Sequence, residues 1–246
     1  MNFSKIDALK QELDNLRPLP SAAVRNLEEV FRVEWTYNSN AIEGNTLSLL
    51  ETKLVLEEGL TIGGKKLREH FEVVNHSEAI DFVKDIVDRK LELTEYVIKS
   101  IHQLVLKNID DDNAGRYRMI NVMISGSQHK PPHFSVVAEQ MEGLVKWYEA
   151  NKDLLHPVQL AAEFHFRFVY IHPFSDGNGR TARLLMNLIL MKYGFPTAIV
   201  KAANDARIKY YETLELASME NNLEPFVKLI AECVEESLNK YIGAVK

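Results

Sequence analysis

The sequence predicts a mainly α-helical fold, a helical bundle that carries one small β-hairpin. Most of the 246 residues show apolar side chains at helical spacing, and these segments begin and end at recognisable capping residues. Only one short stretch has the composition of a strand. With 46% hydrophobic residues, the chain can bury a sizeable core.

Residues 1–92 are predicted to form an N-terminal helical region. One helix is indicated by apolar residues at helical spacing, namely Val24, Leu27, Phe31 and Trp35, and Gly44 is expected to end it. Ser48 and Glu51 form a capping box at the start of the next helix. No stretch has the composition of a linker, so we expect this region to form one compact unit with residues 93–246.

The region 93–246 begins with a helix capped by Thr94. The stretch from Arg118 to Ile124 then resembles a short strand and leads into a turn-rich loop that ends at Pro132. These two segments predict the hairpin.

Four helices are predicted in the rest of the chain. Pro157 fits the first turn of one, and Gly194 is expected to end the helix that begins after Gly179. The last two run from about Asp205 to Ala217 and from about Asn222 to Leu238.

Composition and charge limit the function classes. The net charge of −6 opposes non-specific binding to nucleic acid or to an anionic membrane, so we expect neither as a partner. No apolar stretch is long enough for a membrane span, and the N-terminal residues do not resemble a signal peptide. Cys233 is the only cysteine, which excludes an intramolecular disulfide. Together these observations predict a cytoplasmic protein.

The segment from His172 to Arg183 combines residues suited to a polyphosphate site. His172 precedes a proline, which disfavours helical geometry and places its imidazole in a loop where it can act as a base. Asp176 supplies a hard oxygen ligand for Mg²⁺. Gly177 and Gly179 let backbone approach a phosphate at the start of a helix, where N–H groups are free, and Asn178 adds a side-chain amide.

Two arginines complete this segment. Arg180 and Arg183 are three residues apart, so both guanidinium groups lie on one face of the first helical turns. Cations at a helix N-terminus oppose the helix dipole unless an anion binds there. The sequence therefore predicts a bound polyphosphate.

These residues resemble the Fic family, whose signature His-Pro-Phe-x-x-Gly-Asn-Gly-Arg-x-x-Arg is matched at every specified position from His172 to Arg183. The resemblance implies a Fic fold and the transfer of AMP from ATP to a hydroxyl side chain of a target protein. It implies that His172 is the catalytic base and that Asp176 holds Mg²⁺. The phosphate groups would be bound by Gly177, Asn178, Gly179, Arg180 and Arg183.

The resemblance also extends beyond the signature. It implies that Tyr210 and Tyr211 lie near the adenine, although an aromatic pair at this spacing fits a core position equally well. Asn204 is expected near the ribose. The target-docking flap would comprise Ser125, Gly126, Ser127, Gln128, His129 and Lys130, and an extended target segment could pair with it by β-augmentation.

A second motif, Ser39 to Asn45, resembles the inhibitory sequence of the family. Ser39 and Glu43 share one face of a helix that Gly44 ends. A carboxylate in the last turn faces the negative end of the helix dipole, so a cation should compensate it, and Arg183 is the expected partner. The resemblance implies that this pair obstructs the γ-phosphate and restrains AMP transfer.

Other functions stay open at this stage. In some family members the inhibitory glutamate orients a water that removes AMP, so the chain could be a hydrolase or a bifunctional enzyme. Another nucleotide could replace ATP as the donor. A non-catalytic binding module is the weaker alternative, because His172, Asp176, Arg180 and Arg183 are intact. The resemblance further allows a homodimer that controls access to Glu43, and modification of the protein by itself.

Overall fold

A computed structural model describes all 246 residues and contains ten α-helices and one 3₁₀ turn, Phe134–Val136. The helices are α1 (Ser4–Asn15), α2 (Ser21–Ile42), α3 (Leu49–Glu58), α4 (Leu67–Asp88), α5 (Glu95–Leu106), α6 (Val137–Asn151), α7 (Pro157–Ile171), α8 (Asn178–Lys192), α9 (Asn204–Glu220) and α10 (Glu224–Val245). The predicted mainly α-helical fold class is confirmed.

Local capping residues fix several of the helix boundaries. Ser48 accepts a hydrogen bond from the Glu51 N–H and completes the expected capping box of α3. Thr94 caps α5, and Pro157 is the first residue of α7. Gly194 follows the end of α8 with a φ of 73°, a left-handed conformation that glycine adopts without strain.

Helix α8 lies at the centre of the molecule. It packs on α7, to which the signature loop joins it, and α2, α4 and α5 also contact it. Its central residues, Leu184, Leu185, Met186, Leu188, Ile189 and Leu190, are completely buried. A helix that is apolar on all sides must be enclosed by other elements. This position puts the first turn of α8 at the meeting point of α2, α4 and α7.

One apolar core of 49 buried residues draws on both predicted regions. It includes Phe31 and Trp35 from α2 as well as Phe164 and Phe226 from α7 and α10. Helix α1 packs on α10, so the two ends of the chain lie together. No helix combines the length and the apolarity that crossing a membrane requires.

The predicted β-hairpin is wrong: the segment between Arg118 and Pro132 contains no strand. The buried Arg118 guanidinium donates to the carbonyl groups of Ile120 and Pro132, which lie on the two arms of the loop. Pro131 and Pro132 also lack the N–H groups that a ladder needs. Side-chain hydrogen bonds therefore hold this flap, where the sequence suggested a backbone ladder.

Candidate active site

The site is built around the loop between α7 and α8. Its first residue, His172, ends α7 in the left-handed conformation, with φ 51° and ψ 60°. This geometry is uncommon for a residue other than glycine. It agrees with the expectation that the following proline keeps His172 out of the helix.

The His172 side chain is half-buried and uncharged at neutral pH. Burial lowers its pKa to about 4, the nearby Arg118 adds to this shift, and the Glu43 carboxylate opposes it. The Val169 backbone lies close enough to the ring to oppose the shift as well. An imidazole in this state has a free lone pair, which is what a general base requires.

The first turn of α8 offers free backbone N–H groups. Gly177 caps the helix with a φ of 73°, and the first helical hydrogen bond runs from the Thr181 N–H to the Gly177 carbonyl. The N–H groups of Asn178, Gly179 and Arg180 therefore have no helical acceptor. They form the type of site at which proteins bind phosphate.

Asn178 contributes differently from what its sequence position suggested. Its side-chain amide is buried and exchanges two hydrogen bonds with the backbone of Phe174, at 3.0 and 2.8 Å. The amide is therefore not available to a phosphate. It holds the loop in shape, and only the backbone of Asn178 can face an anion.

Asp176 carries a carboxylate that is 45% exposed and stays ionised. Burial alone would raise its pKa, but Arg180, the Gly177 N–H and Arg68 outweigh that effect and lower it. Arg68, a residue of α4, binds the Oδ2 atom at 2.5 Å.

The two signature arginines face different partners. The Arg180 guanidinium lies 3.4 Å from Asp176 through Nη2 and 3.4 Å from Glu72 through Nη1, and its buried Nε atom has no hydrogen-bond partner. An unpaired buried donor is costly, so this arginine suits a further anionic ligand. Arg183 instead points to α2.

Arg183 is bound to the predicted inhibitory motif. Its Nη2 atom binds Glu43 Oε1 at 2.8 Å and the Ser39 carbonyl at 2.7 Å, and its Nε atom donates to Ser39 Oγ at 3.0 Å. Although burial alone would lower the pKa of Arg183, Tyr210 and Glu43 raise it. The expected contact between Glu43 and Arg183 is therefore present.

These contacts also complete the C-terminus of α2. The Ser39 carbonyl accepts a hydrogen bond from Arg183, and the Ile42 carbonyl accepts one from the Tyr211 hydroxyl. The carbonyl groups of the two residues between Ser39 and Ile42 accept from backbone N–H groups of the following turn. Gly44 follows with a φ of 97°, as expected for the residue that ends the helix. No carbonyl of this last turn is left without a donor.

Gly179 permits the close approach of Glu43 to α8. A Cβ atom at position 179 would lie 2.2 Å from Glu43 Oε1 and 3.2 Å from Arg183 Nη1. Only glycine leaves room for the carboxylate here. The Glu43 carboxylate thus lies directly on the first turn of α8.

The two tyrosines of α9 have different environments. Tyr210 is 2% exposed, packs on Phe226, and its hydroxyl contacts Arg183 and His165. It belongs to the core, the alternative that its spacing left open, and its contact with adenine stays a prediction. Tyr211 is 44% exposed, and Asn204 lies exposed at the first position of α9. Their nucleotide contacts stay predictions.

The flap is fixed at two points. Ser127 Oγ and the Gln128 N–H donate to the Glu215 carboxylate of α9. His129 is buried against Tyr170 and contacts its carbonyl at 2.8 Å, so its side chain anchors the flap and is not free for a target. The other predicted flap residues, Ser125, Gly126 and Lys130, are exposed.

Three further residues shape the site. His102 stacks on Phe174 with ring centroids 3.5 Å apart and donates from Nε2 to the Asp176 carbonyl, because its Nδ1 accepts from the Gly115 N–H. Burial lowers its pKa to about 4. Arg118 donates to the His172 carbonyl at 2.8 Å. The sequence pattern indicated no site role for His102, Arg118 or Arg68.

The donor set offers a magnesium ion one carboxylate, and water or the phosphate oxygens of a nucleotide would complete its shell. No group of three or more His, Cys, Asp or Glu side chains forms a preformed metal site. Mg²⁺ commonly uses one or two carboxylates and completes its shell with phosphate oxygens and water. The half-exposed Asp176 carboxylate beside the N-terminus of α8 meets that requirement.

Comparison with known proteins identifies the family. A model of the Fic/DOC family matches residues 92–190. The crystal structure of a Fic-domain-containing signalling protein from Bacteroides thetaiotaomicron has a TM-score of 0.88 and 31% identity, over 98% of this chain and 97% of that one. The chain belongs to the Fic/DOC family.

Two further relatives of this Fic chain cover nearly all of it. The Fic-1 structure from C. elegans has a TM-score of 0.88 and 36% identity, over 98% of this chain and 71% of that one. The protein adenylyltransferase Fic of Nematostella vectensis is 37% identical over 244 residues, which are 97% of this chain and 56% of that protein. The chain spans about half the length of the curated relatives it matches.

Proposed function

We propose that the protein is a protein adenylyltransferase that transfers AMP from ATP to a hydroxyl side chain of a target protein. The observation that carries this proposal is the arrangement of His172, Asp176 and the free first turn of α8 on one loop, with Arg180 beside it. The adenylyltransferase names of relatives at 35–37% identity support it.

The reaction assigns one task to each residue. His172 Nε2 takes the proton of the target hydroxyl, and the hydroxyl oxygen attacks the α-phosphorus of ATP. The bond between the α-phosphorus and the pyrophosphate oxygen breaks at the same time. The N–H groups of Asn178, Gly179 and Arg180, with the two arginine side chains, stabilise the phosphate charges. Asp176 would hold Mg²⁺, which neutralises phosphate charge when it is bound. Pyrophosphate leaves with the electrons of the broken bond.

We further propose that Glu43 inhibits this transfer. Its carboxylate covers the first turn of α8 and occupies Arg183, which the γ-phosphate needs. A triphosphate must therefore displace a charge-assisted hydrogen bond before it binds productively. The wild-type protein should then be nearly inactive.

The test follows label from ATP that carries ³²P at the α-phosphate. Wild-type, Glu43→Gly and Glu43→Gly/His172→Ala proteins are incubated with Mg²⁺ and the labelled ATP, and label on protein is measured. Glu43→Gly should label at least about tenfold more than wild type, which corresponds to about 1.4 kcal/mol of relieved inhibition. The double variant should not label.

Two results would count against these assignments. Equal labelling by wild type and Glu43→Gly would contradict inhibition by Glu43. Labelling that survives His172→Ala would contradict the role of His172 as the base. ATP labelled at the γ-phosphate is the control, because AMP transfer leaves none of that label on protein.

One observation supports a second activity, the removal of AMP from a modified target. Glu43 Oε1 is bound to Arg183, whereas Oε2 accepts no hydrogen bond and the side chain is 34% exposed. A free carboxylate oxygen beside the site could orient an attacking water. Release of AMP from a labelled target by wild type, and its loss in Glu43→Gln, would support this activity.

Several expectations stay predictions of the sequence. These are the cytoplasmic location, the homodimer, the residue that is modified, and the contacts of Asn204, Tyr210 and Tyr211 with ATP. Separate measurements address them, beginning with the solution mass of the protein and mass spectrometry of the labelled species.

A further inference from the structure

Four charged side chains form a closed cluster beside the phosphate site: Arg68, Glu72, Asp176 and Arg180. Arg68 lies 3.2 Å from Glu72 and 2.5 Å from Asp176. Arg180 lies 3.4 Å from each of the same two carboxylates. Each arginine thus bridges both acids, and the cluster has no net charge.

Both oxygens of Asp176 are occupied in this cluster. Oδ1 accepts from the Gly177 N–H at 2.5 Å and lies 3.4 Å from Arg180. Oδ2 accepts from Arg68 Nη2. A divalent cation needs a lone pair on one of these oxygens, and at Oδ2 it meets the positive charge of Arg68.

Arg68 is the arginine that can leave. Its side chain is 53% exposed, whereas that of Arg180 is 3% exposed and enclosed by neighbouring helices. Moving Arg68 to water therefore costs little, because its guanidinium is solvated on release. The buried Arg180 guanidinium cannot reach water when it leaves Asp176, so its removal would cost much more.

Glu72 holds Arg68 in position. Its Oε2 atom accepts from the Asn45 amide at 2.9 Å, which fixes the carboxylate beside the segment that follows Glu43. Its Oε1 atom binds Arg68 Nε, so the Nη2 end of the guanidinium points to Asp176. The planar guanidinium of Arg68 carries separate donors for Glu72 and for Asp176, whereas the ammonium group of a lysine is a single point charge.

We propose that Arg68 is a displaceable counter-ion of Asp176, which a divalent cation must displace before this carboxylate binds it. Arg68 thereby lowers the metal affinity of the free protein and acts as a positioning residue for Asp176. The inference rests on the metal-binding role of Asp176 within the proposed function. It adds to the signature a residue of α4 that lies far away in the sequence.

The test measures Mn²⁺ binding to the full chain without nucleotide or target. Mn²⁺ prefers the same hard oxygen ligands as Mg²⁺, and its binding is measured by the relaxation of water protons. Arg68→Gln should bind Mn²⁺ about two- to fivefold more tightly than wild type, in line with a partly exposed ion pair. Arg68→Lys keeps the charge but not the fork, so its affinity should fall between the two.

Two controls separate this effect from general charge and from other sites. Arg89→Gln removes a cation from the other end of α4, where Arg89 pairs with Asp85, and should bind as wild type does. Asp176→Asn should lose the site. Circular dichroism confirms that each variant is folded.

Three outcomes would overturn the inference: an Arg68→Gln affinity equal to or below that of wild type, an Arg68→Lys affinity as high as that of Arg68→Gln, or unchanged binding in Asp176→Asn. Because no nucleotide is present, these outcomes do not depend on AMP transfer. Absence of labelling in the transfer experiment would refute the proposed reaction and leave the Mn²⁺ result intact.

Discussion

At the residue scale, the signature identifies the groups near the phosphate site but not the partners of each side chain. His172, Asp176, Arg180 and Arg183 lie around one loop and the first turn of α8. The Asn178 amide and the Tyr210 hydroxyl each have a buried hydrogen-bond partner within the protein that the signature does not indicate. Such partners come from packing, which one sequence segment does not encode.

Arg68 shows the same limit. Its partner Asp176 is 108 positions away, and an arginine in the first turn of a helix is an ordinary surface residue in a sequence. Only the packing of α4 on α8 brings the two together. Long-range ion pairs of this kind have no local pattern.

The close contact between Glu43 and Gly179 leads to a prediction about stability. Gly179→Ala places a methyl group 2.2 Å from the present position of Glu43 Oε1 and should push the carboxylate away from Arg183. Because the buried guanidinium loses part of its pairing, the free energy of unfolding should fall by about 1–3 kcal/mol. Urea denaturation measures this change.

A double-mutant cycle separates that contact from other effects of alanine. In a Glu43→Gly background the carboxylate is absent, so Gly179→Ala should cost less than about 1 kcal/mol. An equal cost in both backgrounds would show that the methyl group acts elsewhere, for example on Arg183 alone. All four proteins are compared at the same pH and salt concentration.

At the scale of elements, local rules predicted the helix ends well. Ser48, Thr94, Pro157 and Gly194 act as the sequence indicated, because caps depend on residues that are near in the chain. The flap is the exception. Its shape depends on Arg118, which binds both arms of the loop and the end of α7.

Arg118 therefore gives a prediction for the flap. It is buried without a carboxylate partner and donates to the carbonyl groups of His172, Ile120 and Pro132. Arg118→Lys keeps the charge but cannot reach three acceptors, so the free energy of unfolding should fall by about 2–4 kcal/mol. Limited proteolysis should cleave the flap sooner than in wild type.

Arg116→Lys is the matched control, because Arg116 is exposed two positions earlier. It should change neither the unfolding free energy nor the rate of cleavage. If Arg118→Lys were as stable and as resistant as Arg116→Lys, its carbonyl contacts would not determine the flap.

At the scale of the whole molecule, two predicted regions share one core. The N-terminal region supplies α2, whose C-terminus reaches Arg183, and it supplies α4, whose first turns reach Asp176. The loop between α7 and α8 and the residues that contact it from α2 and α4 are thus joined by packing over a large part of the chain. The proposed inhibition and the proposed metal site share this framework, because Asn45 follows Glu43 closely and holds Glu72.

The same core buries four histidines whose pKa values burial lowers, so we expect the stability of the folded protein to fall in acid. Burial lowers the pKa of His102 and His172 to about 4, and it lowers the pKa of His76 and His165 well below 6.5. As the pH falls below 6.5, the unfolded chain takes up protons that the folded protein does not, so the folded state loses stability. From pH 7 to pH 5 each buried histidine should lower the free energy of unfolding by about 1–2 kcal/mol, as measured by urea denaturation at the two pH values.

His76→Leu should reduce this loss by about 1–2 kcal/mol, because it removes one of the four groups. His133→Gln, at an exposed position, should leave the loss unchanged. Equal stability of the wild-type protein at pH 7 and pH 5 would contradict the prediction, since it would mean that these histidines bind protons in the folded state as readily as in the unfolded chain.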